Sequence, residues 1–160
     1  SGEGKSGLAL SLAVAAASAG LRTLLIDANA ADPALTNVFG KRTEGAKLSD
    51  RIITDQGLNL SFLSLTTDNL PLSGWANRNA LAEELGHTAG GFDLTLIDAG
   101  LLRCERNAAA LIAASQAILF LSKASATSQE VAASTVSDLL QMANGRRCGA
   151  VLTMAERQVR

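Results

Sequence analysis

Near its amino terminus the chain reads Gly2-Glu3-Gly4-Lys5-Ser6-Gly7, directly before an alanine-rich apolar stretch. Glycines at this spacing let a backbone wrap an oxyanion with its N–H groups. A helix that starts there adds the partial positive charge of its N-terminus. A lysine at position 5 can reach β- and γ-phosphates, and a serine hydroxyl at position 6 can ligate Mg2+. The spacing predicts the back half of a P-loop that grips ATP phosphates with Mg2+. Taken alone, the segment also fits a glycine-rich helix start with a solvated lysine. Asp27 and Asp98 weigh against that plainer reading, because each ends an apolar run in Ile-Asp. Phosphate chemistry of this type needs a carboxylate at a strand end to hold the hydration shell of the metal and orient the attacking group. Each aspartate singly also suits a cap on the following turn.

The elements that must position these groups follow from periodicity. Residues 8–19 predict a helix of small residues and leucines, closed at Gly20 by a left-handed cap. Residues 22–27 (RTLLID) and 92–98 (FDLTLID) predict strands buried on both faces, and 58–65 (LNLSFLSL) a further strand. Asp32-Pro33 marks a turn or helix start. Helices are predicted over 77–88, ended by Gly90-Gly91, over 105–114 and over 128–143. Strands are predicted over 117–121 and 148–153. Strands alternating with helices imply right-handed crossovers, hence a doubly wound, mostly parallel α/β sheet with helices on both faces. Ligands on such sheets sit beyond the carboxyl ends of the strands, where Asp27 and Asp98 lie. The strand that should precede the P-loop is absent from this pattern. The expectation is a single nucleotide-binding domain over residues 1–160, truncated within the P-loop.

Composition narrows the class. The chain has 160 residues, enough for one domain with a proper core. Only 3% of residues are aromatic and there is no tyrosine, so the core must be Ala, Leu, Ile and Val. A net charge of −1 offers no basic field, which argues against a nucleic-acid partner. No apolar run approaches the roughly 18 residues of a membrane span. Cys104 and Cys148 lack metal-ligand spacing and read as small buried hydrophobes in a reducing, cytoplasmic setting.

GEGKS, the Ala-rich helix, LLIDANAADPALTNVFG and FDLTLIDAG together resemble the bacterial tyrosine kinases of polysaccharide export. Those kinases sit within the wider class of partition, cell-division and nitrogenase-iron-protein ATPases. The closer likeness rests on Asp27-x-Asn29 followed by Asp32-Pro33 and Phe39-Gly40, on Leu48-Ser49-Asp50, and on Asn79 to Leu85 before FDLTLID. The resemblance implies ATP and Mg2+ as cofactors. Gly2, Glu3, Gly4, Lys5, Ser6 and Gly7 would form the phosphate cradle, and Ser6, Asp27 and Asp98 would serve the metal. Lys5, Asp27 and Asp98 would be the catalytic set, with Asp27 as metal-linked carboxylate or base and Asp98 acting through water. It further implies a homo-oligomer at the inner face of the cell membrane, fused or docked to a polysaccharide co-polymerase.

The departures from that family pattern are specific. Asp-x-Asp-x-Arg reads Asp27-Ala28-Asn29-Ala30-Ala31 here, and Thr-Pro-Pro after the second aspartate reads Ala99-Gly100-Leu101. Gly7 replaces the usual Thr, and Thr153 replaces an adenine-recognising Asn. Together they suggest weakened or lost phosphoryl transfer with the fold kept. Two alternatives stand beside an ATP–Mg2+-binding regulator of exopolysaccharide polymerisation and export. One is a degenerate assembly module. The other is a partition-type ATPase, whose distinguishing lysine would lie upstream of Ser1. Among weaker candidates, His87 reads as a helix-end cap, Trp75 as local packing, and Arg146-Arg147 as an answer to a helix dipole. Arg103 and Arg106 are candidates for nucleotide or subunit contact.

Overall fold

A computed structural model describes residues 4–42, 44–45, 47–55, 57–65, 78–100, 108–123, 129–143 and 145–153. Two compact units are present, one of residues 6–114 and one of residues 115–160 together with 1–5. No described helix is long and apolar enough to cross a membrane.

Helix α1 (Lys5–Ser18), which belongs to the larger unit from Ser6 onward, leads into strand β1 (Thr23–Asp27), and the short helix α2 (Ala34–Phe39) follows. After a 3-10 turn (Ser49–Arg51) come β2 (Ile53–Thr54), β3 (Leu60–Ser64), α3 (Arg78–Ala89), β4 (Leu94–Asp98) and α4 (Ala108–Ala114). The sheet order is β2-β3-β1-β4. β1 pairs parallel with β3 and β4, and only the two-residue edge strand β2 is antiparallel. β1 and β3 are buried along their whole length, as central strands covered on both faces are. β4, expected to be buried on both faces, is instead half-buried except at Asp98, because it ends the strand order among the described residues.

One face packs Leu24, Ile26, Ala28, Leu63 and Leu65 against Leu81 and Leu85 of α3 and Ala110 and Leu111 of α4. The other packs Leu25, Leu60 and Phe62 against Ala13 and Ala17 of α1 and Leu35 of α2. Alanine on the sheet-facing stripe of α1 lets that helix approach closely. Gly20, at φ +90°, ends α1 as predicted, with the Leu21 amide donating to the Ala16 carbonyl at 3.1 Å. At the amino-terminal pole, Arg22 and Asp93 bind reciprocally. Arg22 Nη2 and Nε donate to Asp93 Oδ1 and Oδ2 at 2.7 and 3.1 Å, and the Asp93 amide donates to the Arg22 carbonyl at 2.8 Å.

In the smaller unit, β5 (Ala117–Lys123) and β6 (Arg147–Thr153) pair in parallel across the crossover helix α5 (Gln129–Ala143). Arg146 Nη1 donates to the Ala143 carbonyl at the end of α5, the dipole role expected of it, and Arg146 Nε donates to the Ser115 carbonyl at 2.9 Å. Arg147 instead opens β6. Cys148 corrects the expectation of a buried thiol. It is exposed near the start of β6, which has β5 as its one strand neighbour among the described residues. Cys104 lies outside the described residues.

Both units follow the α/β expectation of mostly parallel strands flanked by helices. The helix predicted over 8–19 begins earlier, at Lys5, because Gly4 at φ +81° turns the chain straight into the first helical turn.

Candidate nucleotide-binding site

The in-register pairing of the parallel strands builds the site. Asp27 of β1 lies opposite Ser64 of β3 on one side and opposite Asp98 of β4 on the other. Neighbouring strands run about 4.8 Å apart, so Ser64, Asp27 and Asp98 form a continuous polar row at the carboxyl ends. Their alternation with Leu25, Phe62 and Leu96 aims all three toward the face covered by α1 and α2. All three are buried, Asp27 fully.

α1 descends on that face and reaches β1 through a tight connection, so its N-terminal end lies at the pole where the strands end. Ser6 sits one turn before Ala9 on the sheet-facing stripe that continues through Ala13 and Ala17. Lys5 is the first helical residue, and Gly7 follows in the first turn. The first four amides of a helix have no intrahelical acceptor and are free to face an anion. Gly4 has nothing within 4 Å of where a side chain would begin. Gly2 and Glu3 lie outside the described residues.

The carboxylate of Asp27 is held from two directions. Oδ1 accepts from the Asn29 amide at 3.1 Å. Oδ2 accepts from the Thr36 amide at 2.7 Å and from the Thr36 hydroxyl at 2.8 Å. Behind Thr36, Ser64 Oγ lies 2.9 Å from Thr36 Oγ1. Asp27 thus caps α2 from the sheet, satisfying the amide of the third helical residue. Asn29 turns its side-chain oxygen onto the Asp32 amide at 3.2 Å. The turn-capping role that the sequence left open for Asp27 is present, alongside its position in the carboxylate row. Thr36 and Ser64 carry no motif of their own. The available signals were a threonine in the first turn after Pro33 and a serine ending a buried strand.

The row fits Mg2+ of a nucleotide. Asp98 Oδ2 is a buried oxygen with no hydrogen-bond acceptance, although other atoms of Asp98 are engaged. No cluster of three or more His, Cys, Asp or Glu able to hold a metal exists among the described residues. Mg2+ keeps several waters and takes one or two carboxylates plus phosphate oxygens, and two strand-end aspartates can supply the carboxylates.

The remaining candidates fall elsewhere or outside the description. His87 is exposed in the last turn of α3. Thr153 ends β6 with its hydroxyl donating to the Ser122 carbonyl at 3.3 Å. Trp75, Leu101, Arg103 and Arg106 lie outside the described residues.

A helix beginning at Gly-Lys-Ser, two strand-end aspartates and a parallel sheet define a P-loop nucleotide-binding α/β protein. Residues 1–157 match the family model of the CobQ/CobB/MinD/ParA nucleotide binding domain, and the chain belongs to that family. Among solved structures, it is similar to the kinase domain of the Escherichia coli tyrosine kinase ETK, at 18% identity and TM-score 0.75, covering 99% of this chain and 67% of that one. It is similar to the VpsO kinase domain at 25% identity and TM-score 0.72, covering 97% and 80%. A third likeness is to the septum site-determining protein MinD of Pyrococcus horikoshii complexed with Mg-ADP, at 22% identity and TM-score 0.69, covering 99% and 70%. No curated protein matches the chain.

Proposed function

We propose that this domain binds ATP with Mg2+ and uses nucleotide occupancy to control assembly, as a tyrosine-kinase-like regulator of exopolysaccharide polymerisation and export. The observation that carries the reading is the matched position of Asp27 and Asp98 on the face toward the N-terminal end of α1. Two adjacent carboxylates there are unfavourable without a cation nearby, and a hydrated Mg2+ on a nucleotide supplies one. Lys5 and the first amides of α1 would hold the phosphates, Ser6 would ligate the metal, and Asp27 and Asp98 would act on its water shell. Bound Mg2+ would supply charge neutralisation across the phosphate oxygens. In this reading the domain sits in the cytoplasm at the inner face of the membrane, homo-oligomeric and joined to a polysaccharide co-polymerase.

A second reading, a non-catalytic assembly module, is favoured by one observation. Asp27 and Asn29 are both engaged in local backbone bonds, and Ala31 brings no arginine to the site. Calorimetric titration of ADP and ATP, with and without Mg2+ and with Lys5→Ala as control, separates the two. Mg2+-dependent binding that vanishes in Lys5→Ala supports the nucleotide reading. No binding by the wild-type protein sinks it and leaves the assembly module.

A further inference from the structure

Asp27 has about four acceptor sites on its two oxygens, as any carboxylate does. Among the described residues three are filled, one on Oδ1 by the Asn29 amide and two on Oδ2 by Thr36. A carboxylate oxygen only accepts, so the single hydroxyl proton of Thr36 points to Asp27. Ser64 Oγ–H is therefore the donor across the 2.9 Å contact to Thr36 Oγ1. The result is a directed chain from Ser64 through Thr36 to Asp27, all within the buried end of the sheet. Because α2 holds one oxygen and the turn after β1 holds the other, the carboxylate cannot exchange its oxygens by rotation without releasing both.

We infer that Thr36 is a positioning residue for the nucleotide site. By saturating Oδ2 of Asp27 it leaves Oδ1 as the one oxygen with room for a water of the nucleotide-bound Mg2+. This rests on the nucleotide reading above and deepens it. α2 has six residues and no side-chain cap of its own, so its first turn depends on this carboxylate. The same two bonds therefore fix the helix and orient the acid. Thr36→Val keeps the shape and the amide bond, and removes only the hydroxyl.

The experiment is calorimetric titration of ADP into wild type, Thr36→Val and Thr36→Ser over a series of Mg2+ concentrations, and without Mg2+. The expected result is that Thr36→Val raises the Mg2+ concentration for half-maximal enhancement about tenfold, as loss of a group supporting a metal-site carboxylate does. Its metal-free ADP affinity stays with wild type, and Thr36→Ser restores the Mg2+ response. An unchanged Mg2+ response in Thr36→Val overturns the inference while the nucleotide reading stands. Equal losses with and without Mg2+ also overturn it, since they mark a merely structural role. A wild-type chain that binds no ADP at any Mg2+ concentration overturns both. Should Thr36→Val not fold, Ser64→Ala removes the donor behind it and is expected to shift the Mg2+ response about threefold in the same direction. No shift in a folded Ser64→Ala overturns the inference.

Discussion

Asp27 and Asp98 occupy matched positions on adjacent parallel strands, and the Ala28 amide still donates to the Asp98 carbonyl at 2.9 Å. The strand pairing therefore runs to the last residue of each strand, and two buried acids finish at one level on one face. Like charges set directly across a sheet oppose each other. An arrangement that keeps them is suited to a cation that arrives with its ligand.

Asp98→Asn keeps the shape and removes one charge from the pair. It is expected to lower the Mg2+ enhancement of ADP binding about tenfold while metal-free ADP binding stays at the wild-type value. Titration calorimetry at fixed Mg2+ checks this, and an undiminished enhancement would remove Asp98 from the site.

Asp27→Ala leaves the Asn29 amide and both donors of Thr36 without their acceptor. Each unsatisfied buried donor costs about 1–3 kcal/mol, so a loss of about 3 kcal/mol or more is expected in denaturant unfolding, with no nucleotide present. A loss below about 1 kcal/mol would show that water replaces the carboxylate and that α2 does not depend on it.

α2 is held at its other end by Phe39, whose ring stacks on buried Phe62 with centroids 4.8 Å apart and an interplanar angle of 20°. Phe62→Ala is expected to cost about 3–5 kcal/mol as a core truncation. In a double-mutant cycle Phe39 and Phe62 should couple by about 0.5–1.5 kcal/mol. Additive single and double mutants would mean the stack carries no energy beyond the area it buries.

The clamp between Arg22 and Asp93 gives a pH signature. Hydrogen bonds from the Arg22 side chain and then its backbone amide, with the guanidinium charge, hold the Asp93 carboxyl at about 2. A carboxyl lowered in the folded state stabilises the fold above its unfolded value of about 3.9, and that contribution is lost as pH falls toward 2. Both side chains are exposed, so the contribution is small and should shrink with added salt. Unfolding midpoints of wild type and Asp93→Asn are expected to converge between about pH 4 and pH 2. A constant gap across that window would assign the difference to something other than the ion pair.

Much of the architecture was legible in the residues because its signals are local. RTLLID and FDLTLID are short apolar runs that became β1, buried throughout, and β4, half-buried up to Asp98 because it ends the strand order among the described residues. Gly20 ended α1 because only a residue tolerant of φ +90° fits there. β2 escaped notice because two residues have no period, and it exists by pairing with β3.

By itself the sequence determined the alternation of strands and helices, a helix beside the glycine-rich segment that Gly20 ends, and the ending of two strands in aspartate. Composition, periodicity and glycine conformation act over a few residues. Tertiary structure alone decided that Asp27 and Asp98 are neighbours, because strand order and register depend on how whole apolar faces pack. It also decided that Thr36 and Ser64 converge on Asp27. Those residues come from a helix and a strand separated by 28 positions, and hydrogen bonds at that separation follow from the assembled sheet rather than from any spacing rule.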